Sequence, residues 1–410
     1  MNQDHQYQRS NHQLSNHQPS NHQSPNHQPP NDQRSNHQRL GRREFLAGLG
    51  TLGALAAASP AFARDFSVSG ENSLRSRAAA KGLIYGANPG VYAVYQDSEV
   101  ISAFLQESGM LACDTFFWMN TQPEEGNFNF SRADAFVQFA IDHQLRFRGH
   151  TLVWYRLNPD WLNAKLSDTS TPSSKVESLL TQHVSTLVGR YAGKVYIWDV
   201  VNEAIEPDQG RADGLAHHPW FNHLGPDYIE MAFRTAAAAD PNALLAYNDG
   251  GQEYDLPINE AKREAVLKLL QNLKSKGVPI HVFGLQAHLY GDARNFNAQK
   301  LRQFLADVAS LDIKIMISEL DVMDYMLPAD ISQRDQQVAA VYEDFLNLVL
   351  DEPNVIVVNN WGISDRYTWL SEQSPRPDGQ AVRPLPLDDQ MNRKPAWAGI
   401  ARAFDHCPPR

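Results

Sequence analysis

The chain has 410 residues, 42% hydrophobic and 20% charged, long enough for a large core or two modest domains even with residues 1–63 set aside. A formal charge of −11 and an isoelectric point near 5.7, with no basic cluster, argue against nucleic acid or another polyanion as a partner. Two cysteines, Cys113 and Cys407, are too few for a disulfide framework, and both a single bridge and a buried free thiol at Cys113 stay open.

Residues 1–40 repeat Asn11-His12-Gln13, Asn16-His17-Gln18, Asn21-His22-Gln23 and so on every five residues, with Ser and Pro between and almost nothing apolar. Such a segment cannot bury enough surface to offset its ordering entropy, so a disordered tail is expected. Its histidines need no metal to explain them. Residues 41–63 then read as an export signal. Arg42-Arg43-Glu44-Phe45-Leu46 is a twin-arginine pattern, an apolar run of small residues follows, and Ala61-Phe62-Ala63 supplies a cleavage site. The run is too short and too rich in Gly and Ala for a comfortable membrane span. Removal after Ala63, a periplasmic or secreted destination and no stable membrane anchor are the expectations.

From residue 64 to 410 no linker or change of composition divides the chain, so one domain is expected. Strand candidates fall at 83–87, 110–114, 146–150, 195–201, 244–248, 282–286, 313–317 and 355–359. Between them lie segments of helical period, such as Leu179, His183, Leu187 and Tyr191, or Val338, Val341, Tyr342, Phe345 and Val349. Eight strand-then-helix units predict an α/β fold of the (β/α)8 TIM-barrel type. Two strands end on a glutamate. The fourth runs out at Asn202-Glu203 and the seventh at Glu319, so a pair of carboxylates is expected at the C-terminal mouth.

The other strand ends add His150 and Trp154, Asn248, Gln286 and His288, Asp321, and Trp361 with Trp369. Indole faces stack on the C–H faces of pyranose rings, and amides, imidazoles and carboxylates pair with hydroxyls, so the set suits a sugar. Two carboxyl groups in different environments supply the proton and the electron pair that glycosidic cleavage needs. If they stand about 5–5.5 Å apart, configuration is retained. No zinc-ligand spacing and no nucleotide glycine loop occurs, and no metal or organic cofactor is implied.

The segments Arg148-Gly149-His150-Thr151-Leu152-Val153-Trp154, Trp198-Asp199-Val200-Val201-Asn202-Glu203-Ala204, Tyr247-Asn248-Asp249, Gly284-Leu285-Gln286-Ala287-His288, Ile317-Ser318-Glu319-Leu320-Asp321 and Trp361-Gly362-Ile363-Ser364-Asp365 resemble glycoside hydrolase family 10. That family consists chiefly of endo-β-1,4-xylanases on a TIM barrel. The resemblance implies Glu203 as general acid/base and Glu319 as nucleophile. It further implies Asn202 on the 2-hydroxyl of the attacked sugar, His288 holding Glu319, and Asp321 buttressing His288. His150, Trp154, Trp361 and Trp369 would line that sugar's subsite, with Gln286 and Asn248 in support. Xylan or another β-1,4-linked saccharide would be the partner of a monomeric enzyme. The chain departs from the family pattern where Glu-Asn, Lys and His-x-Gln are usual: it carries Cys113-Asp114, Phe117 and Tyr155-Arg156-Leu157. Sugar recognition on the glycone side is therefore expected to differ. A β-1,4-glucanase, an aryl-β-glycosidase and a catalytically weak xylan-binding protein stand as alternatives.

Overall fold

The computed structural model describes residues 64–68 and 70–410, so the expected tail and export signal lie outside the described residues. Eight parallel strands form the barrel: β1 (Ile84–Ala87), β2 (Met110–Cys113), β3 (Arg146–Gly149), β4 (Ile197–Asn202), β5 (Leu244–Asp249), β6 (Val282–Leu285), β7 (Lys314–Met323) and β8 (Val355–Asn360). Each pairs with the next, and β8 pairs with β1 from Ile84 opposite Val357 to Ala87 opposite Asn360, which closes the ring. Every predicted strand is present at nearly its expected position. The largest difference is β7, which continues to Met323 because a short strand, His288–Tyr290, pairs in parallel with Asp321, Val322 and Met323. That extra pairing brings His288 alongside Asp321.

Side chains that point into the barrel change character along its axis. Met110, Ile197, Ala246, Val282, Met316 and Val357 are fully buried together and make an apolar floor. Two residues further along four of these strands, on the same face, stand Asp199, Asn248, Ser318 and Asn359, all with no exposure. On β6 the corresponding residue is Gly284. A barrel interior is a packed core, so this polar layer has to satisfy itself internally. Arg148 does much of that. Its guanidinium donates to Asp199 Oδ2 from Nε (3.0 Å) and Nη2 (2.6 Å), and to the Ser318 carbonyl from Nη1 (2.5 Å).

Helices cover the outside with their apolar faces. Ile331–Val349, for example, buries Val338, Tyr342, Phe345 and Val349, and the Asp330 side chain caps its first turn by accepting from Gln333 N–H. The last helix, Pro395–His406, packs on it, and the buried Glu107 carboxylate accepts from Leu74 N–H, Arg393 and Trp397 Nε1, which ties the two ends of the domain together. Cys113 and Cys407 are both free thiols, so no bridge forms between them. Among the described residues no helix is long and apolar enough to cross a membrane.

A β-carbon on Gly284 would collide with the side-chain carbonyl of Asn248. Gly284→Ala is therefore expected to destabilise the fold by about 1–3 kcal/mol, the usual cost of overpacking a filled core. Urea unfolding followed by tryptophan fluorescence checks this, and an unshifted midpoint would contradict it.

Candidate active site

Asn202 ends β4, and Glu203 follows it. The strand does not run straight to that point. Its register against β5 shifts between Asp199 and Val201, and Glu203 itself has φ of +55°, in the left-handed region that a side chain disfavours. Glu203 N–H donates to the Asn248 carbonyl (2.9 Å), while its carboxyl oxygens accept from Trp154 Nε1 (3.0 Å) and Gln286 Nε2 (3.0 Å). Glu319 lies within β7 and is 5% exposed. Its N–H donates to the Gln286 carbonyl (2.9 Å), and its Oε1 accepts from Asn248 Nδ2 (2.7 Å). Asn248 and Gln286 thus each hold both glutamates, one through the main-chain carbonyl and the other through the side-chain amide.

The two carboxyl groups are held in opposite protonation tendencies. Burial pushes Glu203 up, and the nearby charges of Asp249 and Glu319 add to that, against the opposing effects of the Gln286 hydrogen bond and Arg156. Burial also pushes Glu319 up. There, however, the His288 hydrogen bond and the positive charges of His150, His288 and Arg148 outweigh it and hold the carboxyl at about 2. His288 Nε2 is 3.2 Å from Glu319 Oε2, and Nδ1 is 3.0 Å from Asp321 Oδ1. Burial opposes charging the imidazole, but these two carboxylates raise it well above the ordinary histidine range. Trp369 Nε1 donates to the other Asp321 oxygen (2.8 Å). Arg148 Nη2 stands 3.7 Å from Glu319 Oε1, close enough to stabilise its charge, while its hydrogen bonds go to Asp199 and Ser318. A carboxyl held toward its neutral form beside one held ionised is the pairing that glycosidic cleavage uses.

Residues 73–403 match the sequence profile of Glycosyl hydrolase family 10. The chain belongs to that family. Endo-1,4-beta-xylanase A of Caldicellulosiruptor sp. (strain Rt8B.4) is 38% identical over 268 residues, an alignment that spans 62% of this chain and 38% of that protein's length. Endo-1,4-beta-xylanase B of Thermotoga neapolitana is 34% identical over 290 residues, covering 70% of this chain and 78% of the relative. Among solved structures, xylanase 10B from Thermotoga petrophila RKU-1 in complex with xylobiose superposes with a TM-score of 0.73 at 28% identity, covering 83% of this chain and 99% of that one.

In this family 10 barrel the residues singled out from sequence come together at one mouth. Trp154 and Gln286 sit on Glu203; Asn248 and His288 sit on Glu319. Asn202 Oδ1 accepts the second Asn248 amide hydrogen (2.8 Å), and Trp369 meets His288 edge to face at 5.0 Å. His150 and Trp361 join through the polar layer: His150 Nδ1 is 2.7 Å from Asp199 Oδ2, and Trp361 lies edge-on to His150 at 5.3 Å with the Arg148 guanidinium over its ring. His150 is only 2% exposed, which leaves Trp154, Trp361 and Trp369 with more open surface at the mouth.

Two contributors escaped the sequence reading, Arg148 and Tyr247. The available signal for Arg148 was a charge at an inward position of a short β run; Tyr247 gave none. Of the departures from the family pattern, Cys113, Asp114, Phe117 and Leu157 are buried and Tyr155 is half-buried. Cys113 is sealed, its Sγ 2.9 Å from Thr115 Oγ1, and burial pushes the thiol up to about 12. Phe117 packs between His150 (5.6 Å) and Trp154 (5.7 Å), and Leu157, at φ +53°, accepts from Met119 N–H with its carbonyl.

In His288→Leu the burial of Glu319 persists while the hydrogen bond and the charge are lost, so its carboxyl is expected to climb from about 2 into or above the ordinary glutamate range. Carbon-13 NMR titration of glutamate side chains reads this directly, and a Glu319 resonance still titrating near its original pH would contradict the assignment.

Proposed function

We propose that this chain is a retaining endo-β-1,4-xylanase that cleaves internal β-1,4-xylosidic bonds of xylan by double displacement, with Glu203 as general acid/base and Glu319 as nucleophile. The observation that carries this reading is the shared hold of Asn248 and Gln286 on two glutamates whose proton affinities are pushed apart. The relatives, which are named endo-1,4-beta-xylanases, and the xylobiose complex of a structural neighbour support xylan as the substrate.

In the first step Glu319 attacks the anomeric carbon while Glu203 gives its proton to the leaving oxygen, and a covalent glycosyl-enzyme forms. Glu203, now ionised, takes a proton from water, which attacks the same carbon from the face the leaving group vacated and releases the sugar with its configuration retained. His288, charged between Glu319 and Asp321, keeps the nucleophile ionised and aimed. Asn202 is placed for the 2-hydroxyl of the attacked sugar, and Trp154, Trp361 and Trp369 wall its subsite with His150 beneath.

The glycone side of the cleft is altered. Where the family usually offers Glu-Asn, Lys and Gln to sugar hydroxyls, this chain has Cys113-Asp114, Phe117 and Leu157, all buried. A sugar beyond the attacked one therefore finds fewer directional partners, each missing hydrogen bond being worth about 1–3 kcal/mol. The domain from residue 64 onward acts after twin-arginine export, a reading that rests on the sequence of residues 41–63.

Glu319→Ala is expected to abolish xylan hydrolysis, and added azide to restore turnover of an activated aryl β-xyloside as the inverted α-azide; unimpaired hydrolysis by that variant would overturn the nucleophile assignment. Activity requires Glu203 protonated and Glu319 ionised. Since Glu319 titrates at about 2 and Glu203 above the ordinary glutamate range, kcat/KM should rise at the acid end through ionisation of Glu319 and fall at the alkaline end through ionisation of Glu203. A weakened glycone side predicts that adding a second xylose, from aryl β-xyloside to aryl β-xylobioside, improves kcat/KM by about tenfold or less, the worth of roughly one hydrogen bond. A gain of a thousandfold would show an intact subsite, and no turnover of xylan or either glycoside would remove the xylanase reading.

A further inference from the structure

Glu203 occupies a backbone conformation that costs energy, and the strand that carries it ends there, so something beyond β4 has to hold the turn. The next peptide N–H, that of Ala204, donates to the hydroxyl oxygen of Tyr247 (3.2 Å). That hydroxyl donates in turn to Asp249 Oδ2. The other Asp249 oxygen accepts from Lys262 Nζ (3.0 Å) and from Gly250 N–H (2.8 Å). Tyr247 and Asp249 are fully buried on β5, whereas Lys262 reaches in from the helix Pro257–Ser275, where it also stands 3.8 Å from Glu206.

The direction of each bond follows from the groups. A carboxylate paired with an ammonium only accepts, so the Tyr247 hydrogen points to Asp249 and a lone pair is left facing Ala204 N–H. Remove the carboxylate's grip and the phenol rotates freely. Lys262, alone of the three on an outer helix, fixes the carboxylate from outside the barrel.

We propose that Lys262, Asp249 and Tyr247 form a positioning relay for the acid/base: they clamp the peptide after Glu203 and so hold its carboxyl between Trp154 and Gln286, aimed at the leaving oxygen. The inference rests on Glu203 being the acid/base. It assigns a role in the chemistry to a lysine outside the cleft, and a specific one, in proton delivery to the leaving group.

The test compares two substrates that share a glycone and differ in how much they need that proton. Phenyl β-xylobioside has a poor leaving group, and 2,4-dinitrophenyl β-xylobioside departs unassisted. General acid catalysis contributes about 10²–10⁴-fold, so a misaimed acid in Tyr247→Phe should lower kcat/KM on the phenyl substrate by about 10–100-fold and leave the dinitrophenyl substrate within about threefold. Lys262→Met should show a split in the same direction. Equal losses on both substrates in both variants would reduce the relay to a structural support and overturn the proposal, as would wild-type rates on both. Glu203→Ala, measured alongside, separates the two claims. If it shows the split and the relay variants do not, the relay alone falls; if Glu203→Ala itself shows no split, the acid/base assignment falls with it.

Discussion

Two carboxyl groups have to share one small buried space, and like charges at that range repel. This chain meets the constraint by hanging both on the same two amides. Asn248 and Gln286 exchange roles between main chain and side chain, so neither glutamate moves without disturbing the other's support. The Asn248 side chain is committed: both its amide hydrogens are used, on Asn202 and on Glu319, and its side-chain oxygen is left buried without a hydrogen-bond partner among the described residues. That oxygen rests where Gly284 leaves room for it. A buried unpaired acceptor is uncommon and costs stability, and here it follows from pointing two donors at the site.

The asymmetry between the glutamates comes from what else surrounds them. Glu203 receives hydrogen bonds only from neutral donors, an indole and an amide, and burial together with two negative neighbours outweighs Arg156. Glu319 faces His288, His150 and Arg148. Hydrogen bonds from neutral groups position a carboxyl without forcing it to ionise, whereas a fixed cation stabilises the ionised form. Arg148 contributes charge at 3.7 Å while its hydrogen bonds go to Asp199 and Ser318, so it stabilises the Glu319 carboxylate without hydrogen-bonding to it. The polar layer inside the barrel, resting on the apolar floor, therefore supplies the field of the active site as well as its support.

The two strands that carry the glutamates were legible because each holds a β-branched run, 195–201 and 313–317, followed closely by an acid, and a parallel barrel brings such strand ends to its mouth. Glu203, Glu319, His288 and the tryptophans followed from position alone. What sequence did not give is how the side chains are aimed. The bulge at Asp199 and Val201 and the left-handed turn at Glu203 leave no mark in a hydrophobic pattern, since no glycine announces them. The pairing of His288–Tyr290 with the end of β7 was also hidden, because three residues carry too little period to read as a strand. Arg148 looked like one more polar residue in an alternating run, and only closure of the ring places it under Glu319. Tyr247 acts through its hydroxyl on a neighbouring strand's peptide, a contact with no local signature at all.

On the proposed reading of the glycone side, chemistry and recognition are separable on this scaffold. Cys113, Asp114, Phe117 and Leu157 sit on β2 or in the segments that follow β2 and β3, whereas the hydrogen bonds that hold the two glutamates come from Asn248 on β5 and from Gln286 and His288 beyond β6, apart from the Trp154 indole. Phe117 fills the space beside His150 and Trp154 with ring. Binding energy from sugars remote from the broken bond normally helps to distort the attacked ring and so raises kcat as well as lowering KM. The proposal reduces that contribution, and under it long substrates gain less over short ones while the burden of the transition state shifts to the groups proposed at the reacting sugar itself: Asn202, His288 and the two glutamates that Asn248 and Gln286 hold in register.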